Sequence, residues 1–300
     1  MFLQQIANGL TVGGVYALIA LGYTMVYGVL ELINFAHGEV YMLGAYLGII
    51  FFGFFTVLGL TSHSLILSLS LTFILSALFC AAYGFTIERI AYRPLRNAPR
   101  LSPLISAIGV SIFLQNFVML TQGATDKVFP QLFSTAGPEF LGVRITNLQV
   151  SIILISFLLM YLLHLFITKT RFGKAMRAVA QDRIMASLVG IDIDSVISMT
   201  FIIGSVLAAV AGIMVALYYG LVNYSIGYIA GIKAFTAAVV GGIGSIPGAM
   251  FGGILLGLVE SLGAAYLSSE YKDAYAFAVL IAVLLIRPSG LFGQKREEKV

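Results

Sequence analysis

Residues 31 to 41, ELINFAHGEVY, place two carboxylates, an amide and an imidazole between long apolar runs. A charged side chain at the centre of a bilayer costs about 2.5 to 3.5 kcal/mol on insertion scales, so such groups usually face a protein interior and mark function. On one continuous helix they would point to different sides, but a break near Gly38 would let them line one cavity. The alternative is an interfacial turn in which these groups are hydrated or cap helices. The candidate pathway residues of this segment are Glu31, Asn34, His37 and Glu39.

A second irregular segment, GGIGSIPG at residues 241 to 248, follows an apolar run that is short for a membrane span. Irregular backbone at membrane depth survives only where protein or a water-filled cavity satisfies it. Short or glycine-interrupted segments in the two halves of a chain often mark a discontinuous helix beside a pathway. Gly241, Gly242 and Ser245 are therefore further pathway candidates, although no internal repeat is strong enough in the sequence to predict symmetry.

Glu260, within GLVESLG, is a carboxylate flanked by apolar residues, and both a transport role and a structural hydrogen bond to a neighbouring helix remain open. Motifs of catalysis are missing: the chain has no GxxxxGK[ST], no HExxH and no cluster of cysteines and histidines. We therefore predict no catalytic residue, no metal and no cofactor, and an energy source on another chain.

Composition predicts an all-α, polytopic membrane protein. The 300 residues are 60% hydrophobic and 10% charged, whereas soluble domains are typically about 25% charged. We expect about 8 to 9 transmembrane helices, with one or two broken or re-entrant segments, in a single permease domain over residues 1–300. The predicted spans lie near residues 5–27, 32–57, 64–88, 102–121, 148–168, 195–218, 230–244, 248–267 and 272–287.

The basic residues predict the orientation of the chain. Its formal net charge is +4, but the charges cluster in short loops between spans, so nucleic-acid binding does not follow. The dense basic segments at 89–100, 169–183 and from 287 onward should be cytoplasmic, because lysine and arginine favour that side. The parity of the crossings then places the amino terminus outside, the carboxyl terminus inside and residues 122–147 in an external loop.

The loop at 169–191 has an amphipathic pattern. On a helix Phe172, Met176 and Val179 share one face, while Lys174 and Arg177 lie on another. The apolar face could dock into a groove of a partner. The alternative is a solvated basic loop that only fixes topology.

Three long motifs together resemble the LivH-type permease of bacterial branched-chain amino acid ABC importers, over essentially the whole chain. They are GLTVGGVYALIALGYTMVYGVLELINFAHGEVYMLGAY, TRFGKAMRAVAQD and FTAAVVGGIGSIPGAMFGGILLGLVE. The resemblance implies a multi-pass protein of the bacterial inner membrane that imports Leu, Ile or Val. It also implies a LivM-type second permease, two ATP-binding subunits of the LivG and LivF type, and an extracytoplasmic binding protein.

The same resemblance implies that the basic loop couples transport to the ATPases. Its MASLVG segment is similar to the EAA loop of importer permeases, although Ile184 stands where that motif has its glutamate. The coupling residues implied are Arg171, Phe172, Gly173, Met176, Arg177, Asp182, Ala186 and Gly190.

Two alternatives stay open. Related permeases of this family move urea, short amides or other amino acids. An ion-coupled secondary transporter, with Glu31, Glu39 and Glu260 as coupling groups, belongs to a different class.

Overall fold

The structure, a computed structural model, describes residues 2–96, 98–99, 101–133, 139–140 and 143–293. Twelve α-helices occupy this described part: α1 Phe2–Leu30, α2 His37–Val57, α3 Leu60–His63, α4 Leu65–Ile87, α5 Leu101–Gln122, α6 Asn147–Lys169, α7 Arg171–Gln181, α8 Arg183–Leu188, α9 Ile193–Tyr219, α10 Ile226–Gly241, α11 Ile246–Tyr266 and α12 Lys272–Ile286. A π-helical turn Glu88–Tyr92 and a 3-10 turn Arg93–Leu95 extend α4, and a second 3-10 turn Ser269–Tyr271 precedes α12. Four short strands are present: β1 Lys127–Val128, β2 Glu139–Phe140, β3 Val143–Arg144 and β4 Leu221–Val222.

Seven of these helices are long and apolar enough to cross a membrane, and α10 and α12 are shorter apolar helices of 16 and 15 residues. The prediction of an all-α polytopic membrane protein is therefore confirmed. Helix α1 is buried along most of its length, whereas α4, α5, α6 and α12 expose rows of large apolar side chains, as lipid-facing helices do.

The connection between α5 and α6 forms a cap at one end of the bundle. Strand β1 pairs antiparallel with β4, and β2 pairs with β3. Phe129 is fully buried beneath this cap, and its backbone N–H donates to the Gly220 carbonyl at 2.9 Å. The amide of Gln4 donates to the carbonyl of Arg144 at 3.0 Å, which ties the start of α1 to the cap. Sequence patterns gave no indication of these strands, because each has only two residues.

Helix α2 begins inside the bundle after an irregular segment. The carboxamide oxygen of Asn34 accepts from the backbone N–H of Ala36 at 3.1 Å, and its carbonyl accepts from that of His37 at 3.0 Å. These bonds form a compact turn that starts the helix. The break therefore lies at residues 31–36, before His37, and not near Gly38 as the sequence suggested.

Helix α10 begins in the same manner. The carboxamide oxygen of Asn223 accepts from the backbone N–H of Ser225 at 2.7 Å, and its carbonyl accepts from that of Ile226 at 3.2 Å. The two turns have related sequences, INFAHG at 33–38 and VNYSIG at 222–227. Each follows a residue in the left-handed region, Glu31 at φ 57° and Gly220 at φ 70°. The chain thus contains an internal repeat that sequence inspection did not reveal.

The repeat extends to whole helices. α1, α2, α4 and α5 correspond in order to α9, α10, α11 and α12, and α1 packs along α11 as α9 packs along α4. One further span, α6, separates the two sets, so the second set enters the bundle from the opposite face. This arrangement is an inverted repeat, a common construction in membrane transporters.

Candidate functional site

The two internal helix starts meet at a pair of glycines. A Cβ atom at Gly38 would lie 2.3 Å from the Gly227 carbonyl oxygen and 2.9 Å from the Gly231 Cα. Conversely, a Cβ at Gly227 would lie 2.7 Å from the Gly38 carbonyl oxygen. The contact is reciprocal, as expected where a pseudo-two-fold axis passes between two copies of one motif. Only residues without a side chain permit this approach, and we call the contact the half-helix junction.

The predicted pathway residues around the first break are buried in packing contacts. Asn34 accepts a hydrogen bond from the Tyr92 hydroxyl at 3.0 Å. His37 lies against Gly22, and its ring centroid is 4.9 Å from that of Tyr23. These two polar groups, which the sequence placed around one cavity, thus face different neighbours.

Glu39 lies beside the half-helix junction. It is 1% exposed, and its Oε1 accepts from the Ser111 hydroxyl of α5 at 3.1 Å. Its Oε2 has no hydrogen-bond partner among the described residues and would lie 2.5 Å from a Cβ at Gly227. A buried polar oxygen without a partner is costly. The glycine at 227 provides the space for this carboxyl group.

Glu31 lies apart from the other three, at the opposite end of the irregular segment. It borders a cavity of about 480 Å³ together with Arg96 and residues 179–184 of the basic loop. Arg183 reaches into this region and donates to the Val29 carbonyl at 2.8 Å. Burial lowers the pKa of the Arg183 guanidinium, and the nearby Glu31 carboxyl acts against that shift.

The glycine-rich segment at 241–248 is the second irregular segment that the sequence indicated. It forms a turn between the end of α10 and the start of α11, where the Ser245 hydroxyl accepts from the Gly248 N–H at 3.2 Å. Leu291 donates its N–H to the Val240 carbonyl, and the chain after α12 covers this turn. Gly241 packs on Gly248, since a Cβ there would lie 2.0 Å from the Gly248 oxygen. The second interruption inside the bundle is the start of α10 at 226, and α10 is short for that reason.

The apolar face of α7 points into the protein, which corrects the expectation that it docks on a partner. Met176 and Val179 are buried in the core, and the Phe172 ring packs 5.7 Å from that of Phe166. Amphipathicity indicates that one face is covered but does not say by what. Here α6, α1 and α9 of the same chain cover it.

Two predicted coupling residues shape the corner between α6 and α7. A Cβ at Gly173 would lie 2.1 Å from the Ile167 carbonyl oxygen, so only glycine allows this close turn. The Arg177 guanidinium donates to the same carbonyl, at the end of α6. This bond satisfies one of the carbonyls that a helix end leaves without an intrahelical partner. The side chain of Arg171 is exposed at this corner.

The exposed apolar surface of the loop lies on α8 and the residue after it. Asp182 caps this helix by accepting from the Met185 N–H at 3.0 Å, and Ala186 is buried beneath it. Gly190 follows with φ 85°, and a Cβ there would meet no atom within 4 Å. Position 190 therefore requires glycine because of its backbone conformation and not because of close helix packing. The side chains that are 60 to 76% exposed are Ile184, Met185, Leu188 and Val189, which we call the α8 surface.

An ion-pair network joins the end of α4 to the start of α9 beside this loop. Arg93 and Arg96 both pair with Asp194, and Arg96 also pairs with the fully buried Glu88. Ser198 of α9 donates to Glu88 Oε2 at 2.7 Å. The basic segments near 93 and 183 therefore lie at one end of the bundle, where Arg96 and Arg183 border the same cavity.

Lys233 on α10 is a buried cation that sequence reasoning missed. Its Nζ lies 2.9 Å from Glu260 Oε1 on α11 and 2.8 Å from Asp273 Oδ1 on α12. The Tyr16 hydroxyl donates to Glu260 Oε2 at 2.9 Å. The signal for this pair was available, because a lone lysine in GIKAF and a lone glutamate in GLVESLG are both expensive in an apolar helix unless they meet.

These features define a class of protein. A bundle with exposed apolar walls, an inverted repeat and two helices that begin inside it is a polytopic membrane transport protein. The chain belongs to the family described as branched-chain amino acid transport system / permease component, whose model matches residues 5–284. It is a transport subunit and not an enzyme.

Relatives match this chain along its full length. It is 52% identical to the high-affinity branched-chain amino acid transport system permease protein LivH of Escherichia coli K12, covering 100% of this chain and 98% of the relative. The permease protein BraD of Pseudomonas aeruginosa is similar to the same extent, at 52% identity over 100% and 98% of the two chains. A probable branched-chain amino acid permease LivH of Methanocaldococcus jannaschii is 29% identical over 92% of this chain.

Proposed function

We propose that this chain is one of two permeases in an ABC importer that moves leucine, isoleucine and valine into the cytoplasm of a bacterium. A LivM-type permease, two ATP-binding subunits of the LivG and LivF type and an extracytoplasmic binding protein complete the importer. The full-length similarity to branched-chain amino acid permeases supports the substrate and the partners. The whole chain, residues 1–300, acts as a single permease domain in the inner membrane.

The amino terminus lies outside and the basic loops lie in the cytoplasm. The grouping of Arg93, Arg96 and Arg183 at one end of the bundle supports this orientation, because short cytoplasmic loops carry the excess of basic residues. The cap, formed by the described residues between α5 and α6, then faces the periplasm, where the binding protein docks.

The translocation pathway runs beside the half-helix junction. Two helices that begin inside the bundle and touch through glycines form a natural place for one repeat to move against the other. The residues that border this path lie in two places. Near the first break they are Glu31, Asn34, His37 and Glu39. At the turn after α10 they are Gly241, Gly242 and Ser245. The Glu39 Oε2 faces the junction and has no hydrogen-bond partner among the described residues, which supports a position beside the path.

The observation that carries ATP coupling is the α8 surface. Four large apolar side chains lie exposed on a basic loop at the end of the bundle, outside the spans. An exposed apolar patch within a polar surrounding marks an interface. The ATP-binding subunit covers this patch, and α7 supports it from behind through Phe172, Met176 and the Gly173 corner. The other predicted coupling residues maintain the geometry of the loop or contribute to its charge, and they are Arg171, Arg177, Asp182, Ala186 and Gly190.

The substitution Leu188→Asp tests this coupling. Leu188 is 73% exposed, so the permease should fold, but the complex would bury an unpaired carboxylate, which is costly. We expect the variant to lose the ATP-binding subunits on co-purification and to lose substrate-dependent ATP hydrolysis.

Two matched variants control this experiment. Leu188→Met keeps the volume and the apolar character, and it should retain the ATP-binding subunits. Leu267→Asp places the same charge on a residue that is 77% exposed at the other end of the bundle, and it should also retain them. If the Leu188→Asp permease keeps both ATP-binding subunits, the loop does not bind them and is only a solvated connection between spans.

A further inference from the structure

A cavity of about 400 Å³ opens between α1, α9 and α10, at the end of the bundle that carries the cap. Its volume lies within the range of about 300 to 1,000 Å³ that is typical of small-molecule sites. Asp126 of the cap and Asn223 of the turn before α10 border it, and their side chains are joined by a 2.8 Å hydrogen bond. A ligand that arrives from the cap side can reach this cavity.

Branched aliphatic side chains form one part of the cavity wall, and tyrosine rings form another, from Tyr16, Tyr41, Tyr218 and Tyr219. The side chains that line it include Val12, Val15, Ile152, Val215, Ile226 and Ile229. Such a wall favours burial of a branched hydrocarbon group, at about 25 cal/mol for each Å² of apolar surface removed from water.

An ion pair lies in the wall of the cavity. Lys233 and Glu260 have side chains that are each 9% exposed, and both border the cavity. The Lys233 Nζ also lies 5.8 Å from the centre of the Tyr16 ring. The charged residues that border the cavity are Lys233, Lys272, Glu260 and Asp126, and Asp273 of α12 pairs with Lys233.

We propose that this cavity is a binding site for a zwitterionic, branched aliphatic α-amino acid within the permease itself. Its carboxylate pairs with the Lys233 ammonium, its ammonium pairs with Glu260, and its side chain contacts the aliphatic wall. The inference rests on the proposed function for its substrate class and adds a receiving site for the amino acid after release from the binding protein.

Ligand entry exchanges one ion pair for two. In the empty site Lys233 pairs with Glu260 and with Asp273, so neither Lys233 nor Glu260 is left unpaired in an apolar surrounding. A bound zwitterion supplies both partners at once, so the net charge of the site does not change. An amine without a carboxylate lacks the ion pair with Lys233, and an acid without an ammonium lacks the ion pair with Glu260. Hydrogen bonds to charged groups are stronger than those between neutral groups. We therefore expect the loss of each ligand group to weaken binding on the order of 10- to 100-fold.

The test measures equilibrium binding of labelled leucine to the complete importer without binding protein and without ATP. Leucinol, which lacks the carboxylate, and 4-methylpentanoate, which lacks the ammonium, serve as competitors. We expect saturable leucine binding to the wild type and competition that is at least 10-fold weaker for each analogue.

Three variants assign the ligand groups to the protein groups. Lys233→Met should lose only the preference for leucine over leucinol, and Glu260→Gln only the preference over 4-methylpentanoate. The double variant Lys233→Met/Glu260→Leu replaces the buried pair by apolar residues, which proteins often tolerate without loss of stability. It should assemble with its partners and lose both preferences. If the pair only holds α10 against α11, the variants will change thermal stability but keep both preferences. That result overturns the proposal.

Labelling of the wild type with a photoreactive diazirine leucine provides a measurement that depends on no variant. Adducts on residues 11–16 and 226–233 support the site, whereas adducts elsewhere, or no saturable binding, overturn it. Failure of this binding site can be distinguished from failure of the proposed function. The proposed function fails if ATP-driven uptake is missing, whereas this binding assay uses no ATP.

Discussion

The half-helix junction makes a quantitative prediction for Gly38→Ala. The added methyl group would lie 2.3 Å from the Gly227 oxygen and 2.9 Å from the Gly231 Cα, both of which are backbone atoms. Optimal contacts are about 3.5 to 4.0 Å, so the helices must separate by about 1 Å. Overpacking costs about 1 to 3 kcal/mol, and backbone neighbours place this site at the upper end. The helix propensity of alanine returns at most about 1 kcal/mol, which leaves about 2 kcal/mol of destabilisation.

Thermal unfolding of the purified complex in detergent measures this effect. At about 2 to 4 °C for each kcal/mol, Gly38→Ala should lower the midpoint by about 4 to 8 °C, and leucine uptake should fall with it. Gly109→Ala on α5 is the matched control, because its Cβ would meet no atom within 4 Å, and its midpoint should stay or rise. Equal midpoints for Gly38→Ala and Gly109→Ala would refute the close approach of the two half-helices.

The remaining predictions concern the repeat, the orientation and α7. Asn34→Ala and Asn223→Ala should each lower the free energy of unfolding by about 1 to 3 kcal/mol, because each leaves a helix-starting turn without its acceptor; chemical denaturation checks this, and an unchanged value for either asparagine contradicts the shared role. Thr125→Cys should react with an impermeant thiol reagent added outside cells and Gln181→Cys should not, with the native cysteine buried; the opposite pattern refutes the orientation. Phe172→Asp should lower the thermal midpoint of the permease even without ATP-binding subunits. If the variant is equally stable but loses those subunits, the apolar face of α7 contacts the ATP-binding subunit and not the permease core.

Residue types and hydrophobic runs were enough to predict the position and order of the long helices. The prediction of nine spans corresponds to the seven long helices together with α10 and α12. Long apolar runs are a strong signal because the bilayer sets their length. Placement of the breaks was less accurate, since Gly38 continues a helix that starts at His37 and the 241–248 segment is a turn at a helix end.

The sequence could not show which side of an amphipathic helix meets the protein. The spacing of Phe172, Met176 and Val179 predicted a covered face, and the structure covers it with the same chain. The α8 surface was harder to recognise, because Ile184, Met185 and Leu188 fall in a short helix whose periodicity is barely expressed over six residues.

Pairing across distant segments was also beyond the sequence. Glu260 was a candidate on its own, and Lys233 belongs to a different predicted span, so their contact depends on the packing of α10 against α11. The repeat was missed for a related reason. Its two turns share only an asparagine and a glycine, but their hydrogen bonds are the same because those two residues determine the backbone geometry.

Uptake by proteoliposomes that contain the complete importer tests the central claim most directly. With the binding protein outside and ATP inside, we predict accumulation of labelled leucine, competition by isoleucine and valine, and no accumulation of labelled urea. The Leu188→Asp complex should show none of this uptake. Accumulation of leucine without ATP under an imposed ion gradient, or ATP-dependent accumulation of urea in place of leucine, would contradict the account.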